Sequence, residues 1–114
     1  MASLNQIEQD GLTVLKIEGS LTSDELPSIE GTFTRLARQH GAHVIVDLAQ
    51  VDMLTTPAIT MFIATSRACQ RNGGHMVFTQ STPRIRNLLH RLRLDDVLDT
   101  APEFLDAICQ VKSS

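Results

Sequence analysis

The spacing of apolar positions changes near the middle of the chain. Residues 43–48 contain a short run of apolar, largely β-branched side chains, which is typical of a strand covered on both faces. Farther along, apolar side chains recur at the spacing of one helical face, at Ile59, Phe62, Ile63 and Cys69. The pattern predicts a strand over residues 43–48, a loop over 49–54 and a central helix from Thr55 to about Asn72.

Two short strands and a helix are predicted before this segment. The strands cover residues 4–8 and 12–18, and Asp10-Gly11 between them suits a hairpin turn because both residues tolerate positive φ. The helix is expected over residues 24–40, since Pro27 fits only a first turn and Gly41 provides a stop. Its inward face is expected to carry Leu26, Ile29, Phe33, Leu36 and Ala37.

A strand and a third helix are predicted after the central helix. The strand covers residues 75–79, and a strand, helix, strand sequence of this length normally forms a parallel crossover. Ser81-Thr82-Pro83 has the hydroxyl-then-proline order of a helix start. The buried stripe of this helix is expected to be Ile85, Leu88, Leu89 and Leu92. Its other face carries Arg84, Arg86, Arg91 and Arg93, and indicates either a solvated surface or a contact with an acidic partner.

The last elements complete a single α/β domain over residues 1–114. Val97-Leu98 is a candidate for a brief final strand. The capping-box spacing of Thr100 and Glu103 predicts a final helix, with Phe104, Leu105 and Ile108 inward. No linker, repeat or low-complexity segment divides the chain. We expect a mixed sheet of four to five strands packed against about four helices.

Composition and charge exclude several classes of function. The net charge of −3 gives no general electrostatic basis for binding nucleic acid. No apolar run reaches the roughly 20 residues that span a bilayer, and residues 1–10 lack the basic and apolar parts of a secretion signal. We therefore expect a cytoplasmic protein with no nucleic-acid partner and no direct membrane insertion.

The candidate chemical groups do not form a recognisable catalytic or metal motif. Cys69 and Cys109 lie in helical patterns without CxxC spacing, so two buried free thiols are expected. The four histidines lack the i, i+4 spacing by which a helix presents a metal. Residues 49–56 contain no glycine for a phosphate-binding loop, and no GxSxG motif occurs. We expect no catalytic residues, no metal and no cofactor.

Thr55 and Thr56 at the start of the central helix have two interpretations. One hydroxyl could cap the helix by accepting from its free backbone N–H groups, a contribution of about 1 kcal/mol. Alternatively, the positive end of the helix dipole could tolerate a phosphate, which would change what docks nearby. Local chemistry favours the cap and leaves the recognition role open.

Four segments together resemble the STAS domains, the family that includes bacterial anti-sigma-factor antagonists. They are Gly19-Ser20-Leu21-Thr22, Val44-Ile45-Val46-Asp47-Leu48, the Thr55-Thr56 helix start, and Gly73-Gly74-His75-Met76-Val77. The resemblance implies a non-enzymatic module that docks on an anti-sigma factor, itself a serine kinase, and so displaces a sigma factor. It also implies that phosphorylation at the start of the central helix reverses the docking.

The phosphorylation site departs from the family pattern in this chain. Many family members carry Asp-Ser-Ser-Gly or Asp-Ser-Thr-Gly, in which the residue before glycine is the acceptor, whereas this chain reads Thr55-Thr56-Pro57-Ala58. Pro57 has no hydroxyl, and the family's two nearby acidic positions are the neutral Thr22 and Thr55. The resemblance therefore implies a phosphoswitch that is lost, or that is moved to Thr56.

The partner surface implied by the resemblance lies near the start of the central helix. The helix carries a second stripe of small and mildly apolar residues, namely Ala58, Met61, Thr65 and Ala68. If exposed, the stripe would suit a partner, although Met61 is also a common core filler. Two other functions remain open: a stand-alone STAS subunit of an ABC-type membrane transport complex, and a small-ligand sensor. A homodimer is also left open.

Overall fold

In a computed structural model, five strands lie side by side in their order along the chain. The structure describes residues 2–112, and for residues 95 and 112 the backbone alone. The strands are β1 (Ser3–Gln9), β2 (Leu12–Leu21), β3 (His43–Leu54), β4 (His75–Thr79) and β5 (Thr100–Ala101). The first pair is antiparallel and the other three pairs are parallel, so the sheet is mixed, as predicted.

Four α-helices connect or follow the strands within the described residues. They are α1 (Leu26–Arg38), α2 (Thr56–Arg71), α3 (Pro83–Arg91) and α4 (Phe104–Lys112), and a short 3-10 helix covers Leu94–Asp96. The predicted hairpin is confirmed, since Gln9 pairs with Leu12 and the two turn residues have φ values of 54° and 80°. These positive angles match the right-handed twist of the flanking strands.

The main core lies between α1, α2 and α3 and one face of the sheet. Because side chains alternate along a strand, Leu15 and Ile17 of β2 point into this core, whereas Leu12 and Val14 point to the other face. The core contains a row of three phenylalanines, in which ring centroids of Phe33 and Phe62 are 5.5 Å apart and those of Phe62 and Phe78 are 4.9 Å apart. These rings join α1, α2 and β4 through contacts typical of aromatic pairs.

A second core joins the opposite face of the sheet to α4. Ile45 and Val77 pack there with Ala107 and Val111 of the helix. The predicted inward face of α4 is confirmed for Phe104 and Ile108, which are partly buried and pack against this core, but it was wrong for Leu105, which is 74% exposed. The predicted capping box was also wrong, because Thr100 pairs with Phe78 in β5 and the helix begins at Phe104.

The strand expected at Val97-Leu98 occurs three residues later, as β5. Leu98 is buried in the main core without strand pairing, and Val97 is exposed. The backbone N–H of Phe78 donates to the carbonyl of Asp99 at 2.9 Å, which sets the first contact between β4 and the last strand. Leu98 therefore anchors the chain to the main core, and the last strand begins after it.

The predicted loop over residues 49–54 was wrong, because β3 continues without a break to Leu54. Its extension pairs in parallel with the second half of β2, from Glu18 opposite Gln50 to Leu21 opposite Leu54. One register shift precedes this segment, after Lys16, and a second lies within it, after Gly19. Such irregularities add a residue to one strand and bend it. They also disturb the alternation of apolar and polar residues, which explains why the sequence pattern indicated a loop.

The other two helices are close to their predictions. The helix α1 buries all five expected side chains, but it begins at Leu26 rather than near residue 24 and has no side-chain cap. In α3 the hydroxyl of Thr82 accepts from the backbone N–H of Ile85 at 3.3 Å, as a cap should. Leu92 was wrongly expected to be buried; it follows the end of the helix and is 53% exposed.

Gly74 is the glycine whose replacement tests the packing of α2 against β3. A Cβ at this position would overlap the carbonyl oxygen and amide nitrogen of Ala42 and contact the sulfur of Cys69. We expect Gly74→Ala to lower the free energy of unfolding by about 2 kcal/mol or more, since backbone must move to admit the methyl group.

The matched control is Gly31→Ala, because a Cβ at Gly31 in α1 would meet nothing within 4 Å. Alanine there should raise the free energy of unfolding by about 0.5–1 kcal/mol, through helix propensity. Urea denaturation of both variants checks the pair. Equal effects of the two substitutions would contradict the close approach at Gly74.

Candidate functional site at the start of α2

The ends of β2 and β3 bring the predicted site residues together. Leu21 pairs with Leu54 as the last residues of two parallel strands, so Thr22 and Thr55 leave the same edge of the sheet. The carbonyl of Thr22 accepts from the backbone N–H groups of Glu25 and Leu26, both at 3.1 Å, and so turns the chain into α1. In α/β sheets the carboxyl ends of the strands are the usual location of binding sites.

Thr55 uses both of its hydrogen-bond donors to fasten this edge. Its hydroxyl donates to the carbonyl of Leu21 at 2.8 Å, and its backbone N–H donates to the same oxygen at 3.2 Å. The predicted side-chain cap on α2 was wrong, because no threonine hydroxyl accepts from the first N–H groups of the helix. The hydroxyl of Thr55 bonds instead to the end of β2, where it helps to satisfy the backbone carbonyl of the buried residue Leu21.

Thr56 and Pro57 form the exposed part of the helix start. Both side chains are exposed, and proline occupies the first turn of α2, where its missing N–H costs nothing. The carbonyl of Thr56 accepts from the hydroxyl of Thr60 at 3.0 Å. Within the described residues, the hydroxyl of Thr56 has no protein partner. The two threonines therefore differ: one is structural and the other is available to solvent.

The second stripe of α2 is mostly part of the core. Ala58, Met61 and Thr65 are buried, with Met61 only 5% exposed, and Ala68 is half-buried. The hydroxyl of Thr65 donates to the carbonyl of Met61 at 2.8 Å, which satisfies it within the helix. Core packing of Met61 is thus confirmed. Ala58, Met61 and Thr65 are too buried to form a partner surface by themselves. An arginine at position 61 would disturb folding.

An open groove of about 460 Å³ lies between α1 and α2 beside the exposed helix start. Glu30 and Thr34 of α1 line one wall. The other wall includes Thr56, Pro57, Thr60 and Ala64. The lining thus offers hydroxyls, one carboxylate and small apolar patches, a set that suits hydrogen bonding and close approach by another protein.

The sequence interpretation missed Glu30 and Thr34 as members of this surface. They lie one turn apart on the polar side of α1, which a helical pattern does identify. Which polar flank of α1 faces α2 depends on how the two helices pack, and that information is not present in the spacing of either helix.

Groups that could hold a metal or perform catalysis do not converge in the part of the chain that the structure describes. No cluster of three or more His, Cys, Asp or Glu side chains suits a metal ion there. His43 and His75 are paired on β3 and β4, and Nε2 of His75 lies 3.3 Å from a carboxylate oxygen of Asp99. This pair lies at the amino end of β4, at the opposite edge of the sheet from Thr55.

The two free cysteines have different environments. Cys69 is buried, and desolvation by burial raises the pKa of its thiol. Its Sγ lies 3.4 Å from the carbonyl oxygen of Ala42, to which the thiol donates. Cys109 was wrongly expected to be buried; it is exposed because the inward face of α4 is carried by Ala107 and Val111.

Comparison with known proteins agrees with the sheet order and helix arrangement. The family model described as STAS domain matches residues 3–107. The chain belongs to the STAS domain family. Among curated proteins, no sequence matches it. Across residues 2–112, no helix is both long enough and apolar enough to cross a membrane.

Several solved structures share the fold at low sequence identity. An anti-sigma factor antagonist from Mycobacterium paratuberculosis superposes with a TM-score of 0.88 at 19% identity, over 98% of this chain and 95% of that one. A putative anti-sigma factor antagonist from Thermotoga maritima gives a TM-score of 0.83 at 11% identity, over 96% and 94%. The phosphorylated form of the Bacillus cell fate determinant SpoIIAA gives 0.71 at 14%, over 96% and 99%.

Thr55 and Thr56 allow a matched test of the hydrogen bond to β2. We expect Thr55→Val to lower the free energy of unfolding by about 1 kcal/mol, because it removes the hydroxyl that donates to Leu21. The same change at exposed Thr56 should alter stability by less than about 0.5 kcal/mol. Urea denaturation measures both. A larger loss in Thr56→Val would show that the roles of the two threonines have been exchanged.

Proposed function

We propose that this STAS domain is a non-enzymatic regulatory module that docks on a kinase-type anti-sigma factor through the start of α2. The supporting observation is the exposure of Thr56 and Pro57 at the rim of the groove between α1 and α2. The start of α2 is held rigidly by Thr55, so a partner meets a surface that needs little ordering on binding. Anti-sigma-factor antagonists among the structural relatives are consistent with a protein partner of this class.

The docking surface in this proposal consists of exposed residues around the groove rather than the buried stripe. Thr56, Pro57, Thr60 and Ala64 come from α2, and Glu30 comes from α1. Ala58, Met61 and Thr65 support it from beneath, and Thr22 helps to set the neighbouring turn into α1. The open shape supports protein docking over a small-ligand sensor, which would use a more enclosed cavity with converging polar groups.

We further propose that the usual phosphoswitch is lost. Pro57 stands at the family's acceptor position and has no hydroxyl, so no phosphate ester can form there. The Thr55 hydroxyl is engaged with Leu21, and the neutral side chains of Thr22 and Thr55 cannot help to position a metal-bound nucleotide. Thr56 keeps a hydroxyl on an exposed side chain. Docking would then be controlled by the amount or release of the partner.

Surface variants at the groove test the docking site. We expect Pro57→Arg and Thr60→Arg each to weaken binding to a purified kinase-type anti-sigma factor from the same genome by about tenfold or more, because an arginine blocks close approach. Both positions are exposed, so thermal stability should change little. The measurement is calorimetric titration with the anti-sigma factor, and Leu105→Arg on the exposed side of α4 is the control.

Two outcomes would count against this assignment. Unchanged affinity in both groove variants would remove the α1–α2 groove from the interface. Binding to an ABC-type ATPase of the same organism, together with no binding to any anti-sigma factor, would transfer the same surface to a transport complex.

A phosphorylation assay tests the loss of the switch. After incubation with the anti-sigma kinase and labelled ATP, we expect no label on the protein, because position 57 lacks an acceptor oxygen. Pro57→Ser restores a hydroxyl at that position and serves as the comparison. Mass spectrometry locates any phosphate, and stoichiometric label on Thr56 would contradict the proposal and move the switch by one residue.

A further inference from the structure

We infer that the docking surface continues from the start of α2 across the end of β3 to α3, where it receives an acidic segment of the protein partner. The inference rests on the proposed function and adds that the bound part of the partner carries carboxylate side chains. The continuity is covalent, since Met53 and Leu54 directly precede Thr55 and Thr56. Met53 is a large apolar side chain that is 46% exposed at this point, next to exposed Asp52 in the second half of β3.

Positive charge is concentrated on α3 in a chain that is acidic as a whole. The chain has ten lysines and arginines and a net charge of −3, yet residues 84–93 contain four arginines and no carboxylate. All four arginine side chains are exposed. Within residues 84–93 no acidic side chain offsets this charge, although Asp52 lies beside the helix and Asp95 and Asp96 follow in the sequence, so the surface of α3 is locally basic and attracts acidic groups.

One face of α3 lies directly beside the end of β3. Arg84, Leu88 and Arg91 follow the i, i+4, i+7 spacing, and with Asp52 and Met53 they line a narrow groove of about 110 Å³. Half-buried Leu88 and exposed Met53 form an apolar floor between the two arginines. An apolar centre with charged groups at its edge is the usual arrangement of a protein interface.

Neither arginine of this groove forms an ion pair with any side chain that the structure describes. Among the side chains that the structure describes, no carboxylate oxygen lies within 4.0 Å of either guanidinium, although Asp52 lines the same groove. Guanidinium groups form paired hydrogen bonds with carboxylates, so Arg84 and Arg91 are complementary to Asp or Glu side chains that flank an apolar residue. The carboxylate of Asp52 makes the groove less suited to a polyphosphate backbone.

Arg86 lies on a different flank of α3 and provides an internal control. Its guanidinium donates to the carbonyl of Ser81 at 3.2 Å, and it lines a separate cavity next to Thr100 of β5. Reversal of its charge therefore changes the net charge without changing the groove beside β3.

Charge reversal in the complex with the anti-sigma factor tests the inference. We expect Arg84→Glu with Arg91→Glu to weaken binding by about tenfold or more and to reduce its dependence on salt. Arg86→Glu with Arg38→Glu makes the same change in net charge and should weaken binding by less than about threefold. Equal losses in the two double variants would overturn the inference, because they would reflect total charge rather than this groove.

A second experiment keeps the inference testable if no anti-sigma factor binds and the proposed function fails. The probe is a synthetic peptide of twelve residues composed of Asp, Glu and Leu, added to the isotope-labelled protein and followed by NMR. We expect shifts at Met53, Arg84, Leu88 and Arg91, and none with a peptide in which Lys replaces the acids. Shifts confined to other regions, or no shifts, would overturn the acidic-segment assignment.

A second copy of this chain is the competing occupant of the groove. Light scattering of the protein alone should give the mass of one chain for the natural sequence and for Arg84→Glu with Arg91→Glu. A dimer that dissociates in the reversed variant would overturn the inference by assigning the groove to self-association.

Discussion

The parallel pairing of β2 with β3 over nearly their whole length is the constraint on which the proposed docking surface depends. It ends at Leu21 and Leu54, and Thr55 then closes the edge by donating twice to the carbonyl of Leu21. The start of α2 is therefore positioned by the sheet itself. Thr56 and Pro57 are exposed directly after a residue that is bonded to the sheet. A partner that binds them would therefore lose little free energy to ordering this segment.

The different roles of Thr55 and Thr56 follow from this pairing of β2 with β3. Thr55 has a strand carbonyl within reach and is used for structure, whereas Thr56 is one residue farther along and points to solvent. Pro57 follows in the first turn of α2, where its missing N–H costs no hydrogen bond. The helix start can therefore keep its shape while one threonine hydroxyl is bonded to the sheet and the other is exposed.

Much of the fold could be predicted from the sequence, because local periodicity specifies most elements. The hairpin at Asp10-Gly11, the five buried residues of α1 and the cap of α3 at Thr82 all depend on neighbours in the chain. The errors have nonlocal causes. The strand extension to Leu54 needs the second half of β2 as a partner, and the start of α4 is set by the pairing of Thr100 with Phe78. The candidate site shows the same difference between local and nonlocal information. Its threonines could be identified from the sequence, but their hydrogen bonds and the contribution of Glu30 could not.

The unequal environments of the two thiols have a practical consequence. Cys69 is sealed in the main core with a raised thiol pKa, whereas Cys109 is exposed on α4, on the opposite face of the sheet from α2. Maleimide reagents therefore have one accessible target in the natural sequence. A fluorophore or a surface tether attached at that position would leave the helix face around Pro57 pointing outward, so that the molecule can be immobilised in a single orientation without any engineered cysteine.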